Sequence, residues 1–109
     1  MTKFIMVYKG PATPMDEMTE EQGKAVMDAW GAWMGKVGDG LVDVGSPFGP
    51  GNSIRDDGTT GSAAELSGYS IIEAADLASA TEMTGGHPFF SEGKGNFSIE
   101  VFELMPVPF

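Results

Sequence analysis

His87 is the only histidine in the chain, and it stands in T-G-G-H-P-F-F, between two glycines and a proline followed by two phenylalanines. An imidazole titrates near pH 6.5, so a single histidine is the first residue to weigh for general acid or base work. Its candidate partners come from neighbouring strand ends. Asp43 in L-V-D-V-G is a second acid–base group, and Ser46 and Tyr69 offer hydroxyls to a ligand. Trp30 and Phe48 complete the set, because an indole or phenyl ring can stack on a flat ligand. Together these residues describe a cleft near His87, between the sheet and loop 45–62. A structural reading of His87 competes with this one. Gly85-Gly86 close a helix, a cationic imidazole suits the negative end of that helix, and the His-Pro bond turns the chain outward.

Other chemistries are excluded by residue type and context. There is no cysteine, which removes thiolate nucleophiles, disulfides and Cys-based zinc sites. The acidic pairs Glu20-Glu21, Asp56-Asp57 and Asp16-Glu17 read as solvated turns and helix starts, and D-D-G-T-T-G lacks the spacing of a calcium loop. No metal and no cofactor are predicted. S-E-G-K-G-N precedes a strand, where a phosphate loop opens a helix, and G-S-P-F-G lacks the context of a nucleophile elbow. Arg55, the only arginine, stands beside Asp56 and Asp57 and reads as a local surface pairing.

The elements that must position these groups follow from periodicity. K-F-I-M-V-Y-K (3–9) is a first strand, ended by P-A-T-P-M-D. Thr19 stands three residues before Gln22, a capping-box spacing, and Val26, Trp30, Trp33, Met34 and Val37 then form one helical apolar stripe. The two indoles diverge on that stripe, so one reaches the edge of a cleft. Gly38 and Gly40 end the helix, and L-V-D-V-G (41–45) is a second strand. The Gly- and Pro-rich stretch after it is too long for a bare loop, so a small hairpin turning at Asp57-Gly58 is expected within 45–65. L-S-G-Y-S-I-I-E-A is a third strand. Asp76 caps a second helix with Leu77, Ala80, Thr81 and Thr84 on one face, stopped by Gly85-Gly86. F-S-I-E-V-F-E-L is the last strand.

The order is that of an α+β, ferredoxin-like β-α-β-β-α-β fold with both helices on one sheet face, one domain spanning 1–109. Phe4, Met6 and Tyr8 point one way from the first strand, and Ile5 and Val7 the other. Two helices cover only one side, so the second apolar face, several hundred Å² in area, is expected to pair with itself in a homodimer. A formal charge of −10, with six scattered basic residues, speaks against nucleic acid and anionic membranes as partners. The first residues carry no signal-peptide pattern and no membrane span, so a cytoplasmic location is the expectation.

Laid out in this order, the chain resembles the YCII-related, or DGPF-type, family of small bacterial proteins. The residues that carry the resemblance are F-I-M-V-Y, D-A-W-G-A-W-M-G-K-V-G-D-G-L-V-D-V-G-S-P-F-G-P, G-Y-S-I-I-E-A-A-D-L-A-S-A and the ending from G-G-H-P-F-F to E-V-F-E-L-M-P. The resemblance implies a dimeric α+β barrel. Shorter members of that family carry a histidine on the first helix and an aspartate after it, considered an acid–base pair. Here the helix reads Q-G-K-A-V-M-D-A-W-G-A-W-M and holds no histidine, although Asp43 stands near the aspartate position. The functional expectation is a small-molecule-binding homodimer, with cofactor-free lyase- or isomerase-like acid–base chemistry at His87 and Asp43 as its catalytic form. A non-catalytic structural or protein-interaction module is the alternative.

Overall fold

A computed structural model describes residues 1–10, 19–90 and 97–108. Strand β1 (Thr2–Lys9) leads to helix α1 (Glu20–Val37), and β2 (Leu41–Asp43) follows a short 3-10 turn. A hairpin of β3 (Asn52–Ile54) and β4 (Thr60–Ser62) precedes the long strand β5 (Leu66–Ala74). Helix α2 (Leu77–Glu82), a 3-10 turn (Pro88–Phe90) and β6 (Ser98–Glu103) complete the chain. The acidic pair Asp16-Glu17 and the loop S-E-G-K-G-N lie outside the described residues.

The four main strands form one antiparallel sheet in the order β2-β5-β1-β6, and β3 and β4 pair separately. The result is an α+β fold whose order is compatible with a ferredoxin-like arrangement. Register follows strand alternation. Phe4 pairs with Ile72, Met6 with Ser70 and Tyr8 with Gly68, so these residues share one face, and all are buried. Ile5, Val7, Tyr69 and Ile71 take the opposite face, and each is half-buried.

Trp33 of α1 and Ala80 of α2 both join the buried cluster of Phe4, Met6, Tyr8, Ile72 and Ala74. Trp30, Met34 and Val37 pack against that cluster from the same helical stripe, as the spacing predicts. Burying each large side chain there contributes about 1.5–3 kcal/mol. The caps are local. Thr19 and Gln22 make the reciprocal capping box, and the Asp76 carboxylate accepts from the Ser79 amide at 2.8 Å. Gly38, at φ 58°, closes α1.

Three details depart from the sequence reading. Helix α2 ends at Glu82, with Thr84 and Gly85 in tighter turns onto Thr81 and Glu82, and Leu77 on its first turn is 53% exposed. A six-residue helix has too few turns to bury a full stripe, and Ala80 alone reaches the core. The hairpin does turn at Asp57-Gly58, with Gly58 at φ 89°. Arg55, however, donates across the hairpin to the Thr59 hydroxyl and the Thr60 carbonyl rather than pairing with Asp56 or Asp57. Asp57 is itself committed to the turn, accepting from Thr59.

Candidate functional site

The segment that carries His87 is aimed inward by its own turns. Gly86 adopts φ 74°, a left-handed conformation that a glycine takes without strain, and the His87 amide donates to Thr84 at 3.0 Å. Pro88 then starts a 3-10 turn, in which the Phe90 amide returns to the His87 carbonyl at 3.0 Å. From α1, the Lys36 ammonium donates to the Gly85 carbonyl at 2.6 Å and ties the segment to that helix. The imidazole that results is 2% exposed. It sits among three aromatic rings, with centroids 4.5 Å away for Trp33, 4.7 Å for Trp30 and 4.9 Å for Tyr8.

Hydrogen bonds fix the protonation state of that ring. The Phe89 amide, which can only donate, reaches Nδ1 at 3.0 Å, so Nδ1 bears the lone pair and Nε2 bears the proton. Nε2–H then donates to the Tyr8 hydroxyl at 3.0 Å. The Tyr8 hydroxyl has one proton to give and donates it to Ser70 Oγ at 2.5 Å. The Ser70 hydroxyl in turn donates to the Val44 carbonyl at 2.7 Å. The donor direction runs one way along the whole chain, from His87 through Tyr8 and Ser70 to backbone.

Burial lowers the His87 pKa to about 4, and burial raises that of Tyr8. At neutral pH both are uncharged. A general base needs an unshared pair facing the proton it removes. Nδ1 is already occupied by the Phe89 amide, and Nε2 is a donor. The ring therefore organises Tyr8, Ser70 and Phe89. The cationic helix-end reading of His87 fails for the same reason, because the ring points into the aromatic cluster instead of outward.

The remaining candidates gather elsewhere. Phe48 stacks on Tyr69 with ring centroids 5.9 Å apart and planes at 21°. The Tyr69 hydroxyl approaches Asp43 Oδ2 at 3.4 Å, while Oδ1 of the same carboxylate accepts from the Gly45 amide at 2.9 Å. Ser46 contributes its backbone carbonyl, which accepts from the Tyr69 amide at 3.3 Å. Beside this corner runs an open groove of about 370 Å³, lined by Pro47, Phe48, Pro50, Ala63, Ala64 and Leu66.

The single cleft expected from the sequence is thus two sites. His87 and Trp30 lie on the helix-covered face, and Asp43, Tyr69 and Phe48 belong to the other side of β5. The cause is the two-residue period of β5: Ser70 points to Tyr8, on the side of the sheet that holds His87, so its neighbour Tyr69 must point away. Tyr8 and Ser70 are the site residues that the sequence reading passed over. Their signal is an inward phase of β1 and β5 in which two hydroxyls replace aliphatic groups, since buried hydroxyls require partners. Trp33, rather than Trp30, is the indole fully enclosed, and its Nε1 donates to the Met83 carbonyl at 2.9 Å.

Compared with known proteins, no family model matches the chain, and no curated protein matches it. Among the described residues, no helix is long and apolar enough to cross a membrane.

Proposed function

We propose that the protein is a small-molecule-binding homodimer, ferredoxin-like with both helices on one sheet face and of the dimeric α+β barrel type that its YCII-related resemblance implies. Its ligand seat is the Phe48–Tyr69–Asp43 corner. One observation carries this reading: an aromatic stack of the exposed Phe48 on the half-buried Tyr69 adjoins an open groove, with a carboxylate 3.4 Å from the hydroxyl of the stacked tyrosine. Stacked rings offer a flat apolar surface, and a carboxylate oxygen beside a phenol accepts from a donor or a cation. The ligand class is a planar molecule bearing a protonated amine or N–H donor, in keeping with a net charge of −10.

The dimer reading is supported by the second sheet face. Ile5, Val7 and Ile71 are half-buried there, and Phe102 of β6 is 55% exposed. Asp43 pairs with Ile71 at the edge of that face, so a partner seated on it borders the corner. Acid–base turnover at His87 is the weaker reading, since both ring nitrogens are engaged.

Thermal unfolding with tryptamine, and with indole-3-acetate as its anionic counterpart, tests the ligand class. Tryptamine raises the melting temperature, indole-3-acetate does not, and Asp43→Asn and Phe48→Ala each remove the effect. A ligand at 100 times its dissociation constant adds about 2.7 kcal/mol of stability, which is readily seen. A shift that survives both substitutions overturns the site. No shift with either probe favours the non-catalytic interaction module. Sedimentation tests the dimer independently, and a mass of one 11.5 kDa chain at micromolar concentration sinks it.

A further inference from the structure

The His87 cluster carries a second reading that does not depend on where a ligand binds. We propose that residues 84–90 are an acid-released latch, held against α1 and β1 by the neutral His87 ring. Protonation of that ring frees the segment and uncovers the Tyr8–Trp30–Trp33 chamber while the sheet stays folded.

The geometry makes the neutral ring a requirement of the closed state. A second proton on the imidazole must go to Nδ1, and that atom faces the Phe89 amide proton at an N–N distance of 3.0 Å. Two donors then oppose each other, and the Phe89 amide loses its acceptor. Among the described residues, the rings of Tyr8, Trp30 and Trp33 pack around the imidazole, and none of them offers the new N–H an unshared acceptor. Aromatic faces attract a cation, but they do not replace a lost hydrogen-bond acceptor for two donors at once.

The groups facing His87 reinforce this direction. From β1 the only titratable group is the Tyr8 phenol, which stays neutral through the acid range. From β5 the network reaches Ser70, which does not titrate. From α1, Lys36 holds the Gly85 carbonyl and adds positive charge near the segment. Among the described residues the one ion pair is Lys9–Glu100, with neither partner in the cluster.

The segment can leave without opening the sheet. Its backbone hydrogen bonds run from His87 to Thr84 and from Phe90 to His87 within the segment, and from Thr84 and Gly85 back to Thr81 and Glu82 of α2, which anchor its first two residues; none belongs to a strand ladder. Among the described residues, side-chain hydrogen bonds tie it to β1 through His87 and Tyr8, to α1 through Lys36 and Gly85, and to Thr81 through the Thr84 hydroxyl, and the Phe89 ring packs on Tyr8 and Phe97. Gly85 and Gly86 are exposed, and Gly86 at φ 74° supplies a hinge.

Amide hydrogen exchange by NMR, corrected for intrinsic rates and followed from pH 7.5 to 4.5, tests the proposal together with tryptophan emission. Trp30 and Trp33 are the only tryptophans and both touch the ring, so emission reports the chamber directly. Protection of the Phe89 and Phe90 amides should fall by about tenfold or more as the pH drops, while β1 and β5 amides keep theirs. His87→Gln retains an acceptor for Phe89 and a donor for Tyr8 but does not titrate, so it should abolish the change. The latch is overturned if Phe89 keeps its protection until the sheet amides lose theirs, or if His87→Gln shows the same acid dependence as the native chain. Should that variant fail to fold, the contrast between Phe89 and the sheet amides in the native chain decides alone.

Discussion

The Phe89 amide donates to Nδ1 of His87 at 3.0 Å, so a backbone group two residues along the chain decides which ring nitrogen carries the proton. Everything further along the network inherits that choice. Because Nε2 is the donor, the Tyr8 hydroxyl must accept from His87 and give its own proton to Ser70, and Ser70 must give its proton to Val44. One local turn on the Pro88–Phe90 segment thereby orients hydroxyls on two strands of the sheet.

Stability should fall with acid in a window set by His87. Its folded pKa is about 4, depressed by burial, against about 6.5 when unfolded. The unfolded chain therefore binds more protons between these values. The contribution is complete above pH 6.5 and is lost as the pH falls toward 4, amounting to at most about 3 kcal/mol. Urea unfolding at pH 7.5, 5.5 and 4.5 measures it, and His87→Gln should flatten the slope over that range. Asp76 and Asp57 act lower. The Ser79 amide holds the first below the usual carboxylate range, and the Thr59 hydroxyl holds the second there, so their contributions are lost only below about pH 4.

Tyr8→Phe should cost about 1–3 kcal/mol, although it removes a single oxygen. The His87 Nε2–H loses its acceptor and Ser70 loses a donor, and both groups are buried. The native chain carries a second signature of this phenol. Burial raises its pKa above 10, so its contribution is present below pH 10 and is lost as the pH rises through the folded value. Unfolding at pH 9 and pH 11 should show a loss in the native chain that Tyr8→Phe lacks.

Much of this architecture is legible in the sequence because it rests on local signals. The Thr19–Gln22 spacing makes its capping box, the stripe from Val26 to Val37 packs on the core, and Asp57-Gly58 turns its hairpin. Strand alternation assigns Phe4, Met6 and Tyr8 to one face and Ile5 and Val7 to the other. The site was legible only in pieces. His87, Trp30, Asp43, Tyr69 and Phe48 are all near a site, but whether they are near the same site depends on the pairing of β1 and β2 with β5. That information is long-range, and one strand position separates Ser70 from Tyr69. The protonation of His87 was illegible for a related reason. Helix polarity and net charge both argue for a raised pKa, and only tertiary burial, with Phe89 folded back on Nδ1, reverses the sign.

Gly45→Ala should be far more disruptive than Gly58→Ala, although both glycines have positive φ, 81° and 89°. A Cβ on Gly45 would fall 1.7 Å from the Tyr69 carbonyl oxygen, inside the backbone of β5, whereas one on Gly58 meets nothing within 4 Å. The Gly58 variant pays only for its left-handed conformation, about 1 kcal/mol. At Gly45 the β2–β5 edge must separate, which also displaces the Val44 carbonyl from Ser70 and the Asp43 carboxylate from Tyr69. Thermal unfolding of the two variants side by side should show a loss several times larger for Gly45→Ala. Equal losses would mean that β2 is not held against β5 as described.

Trp33→Phe and Trp30→Phe separate packing from hydrogen bonding in the wall of the His87 chamber. Trp33 is 2% exposed, and its Nε1 is the donor to the Met83 carbonyl at the end of α2. Phenylalanine there leaves both a void and an unpaired carbonyl, for about 2–4 kcal/mol. Trp30 is half-buried and only packs against the cluster, so its replacement should cost about 1 kcal/mol. The same pair of variants assigns the fluorescence of the chamber. Only one indole remains in each, and both indoles lie within 5 Å of the His87 ring centroid. Each variant should therefore keep an acid-dependent emission change, since the ring moves away from both walls at once. A change confined to one indole would mean that His87 shifts within the chamber and does not leave it.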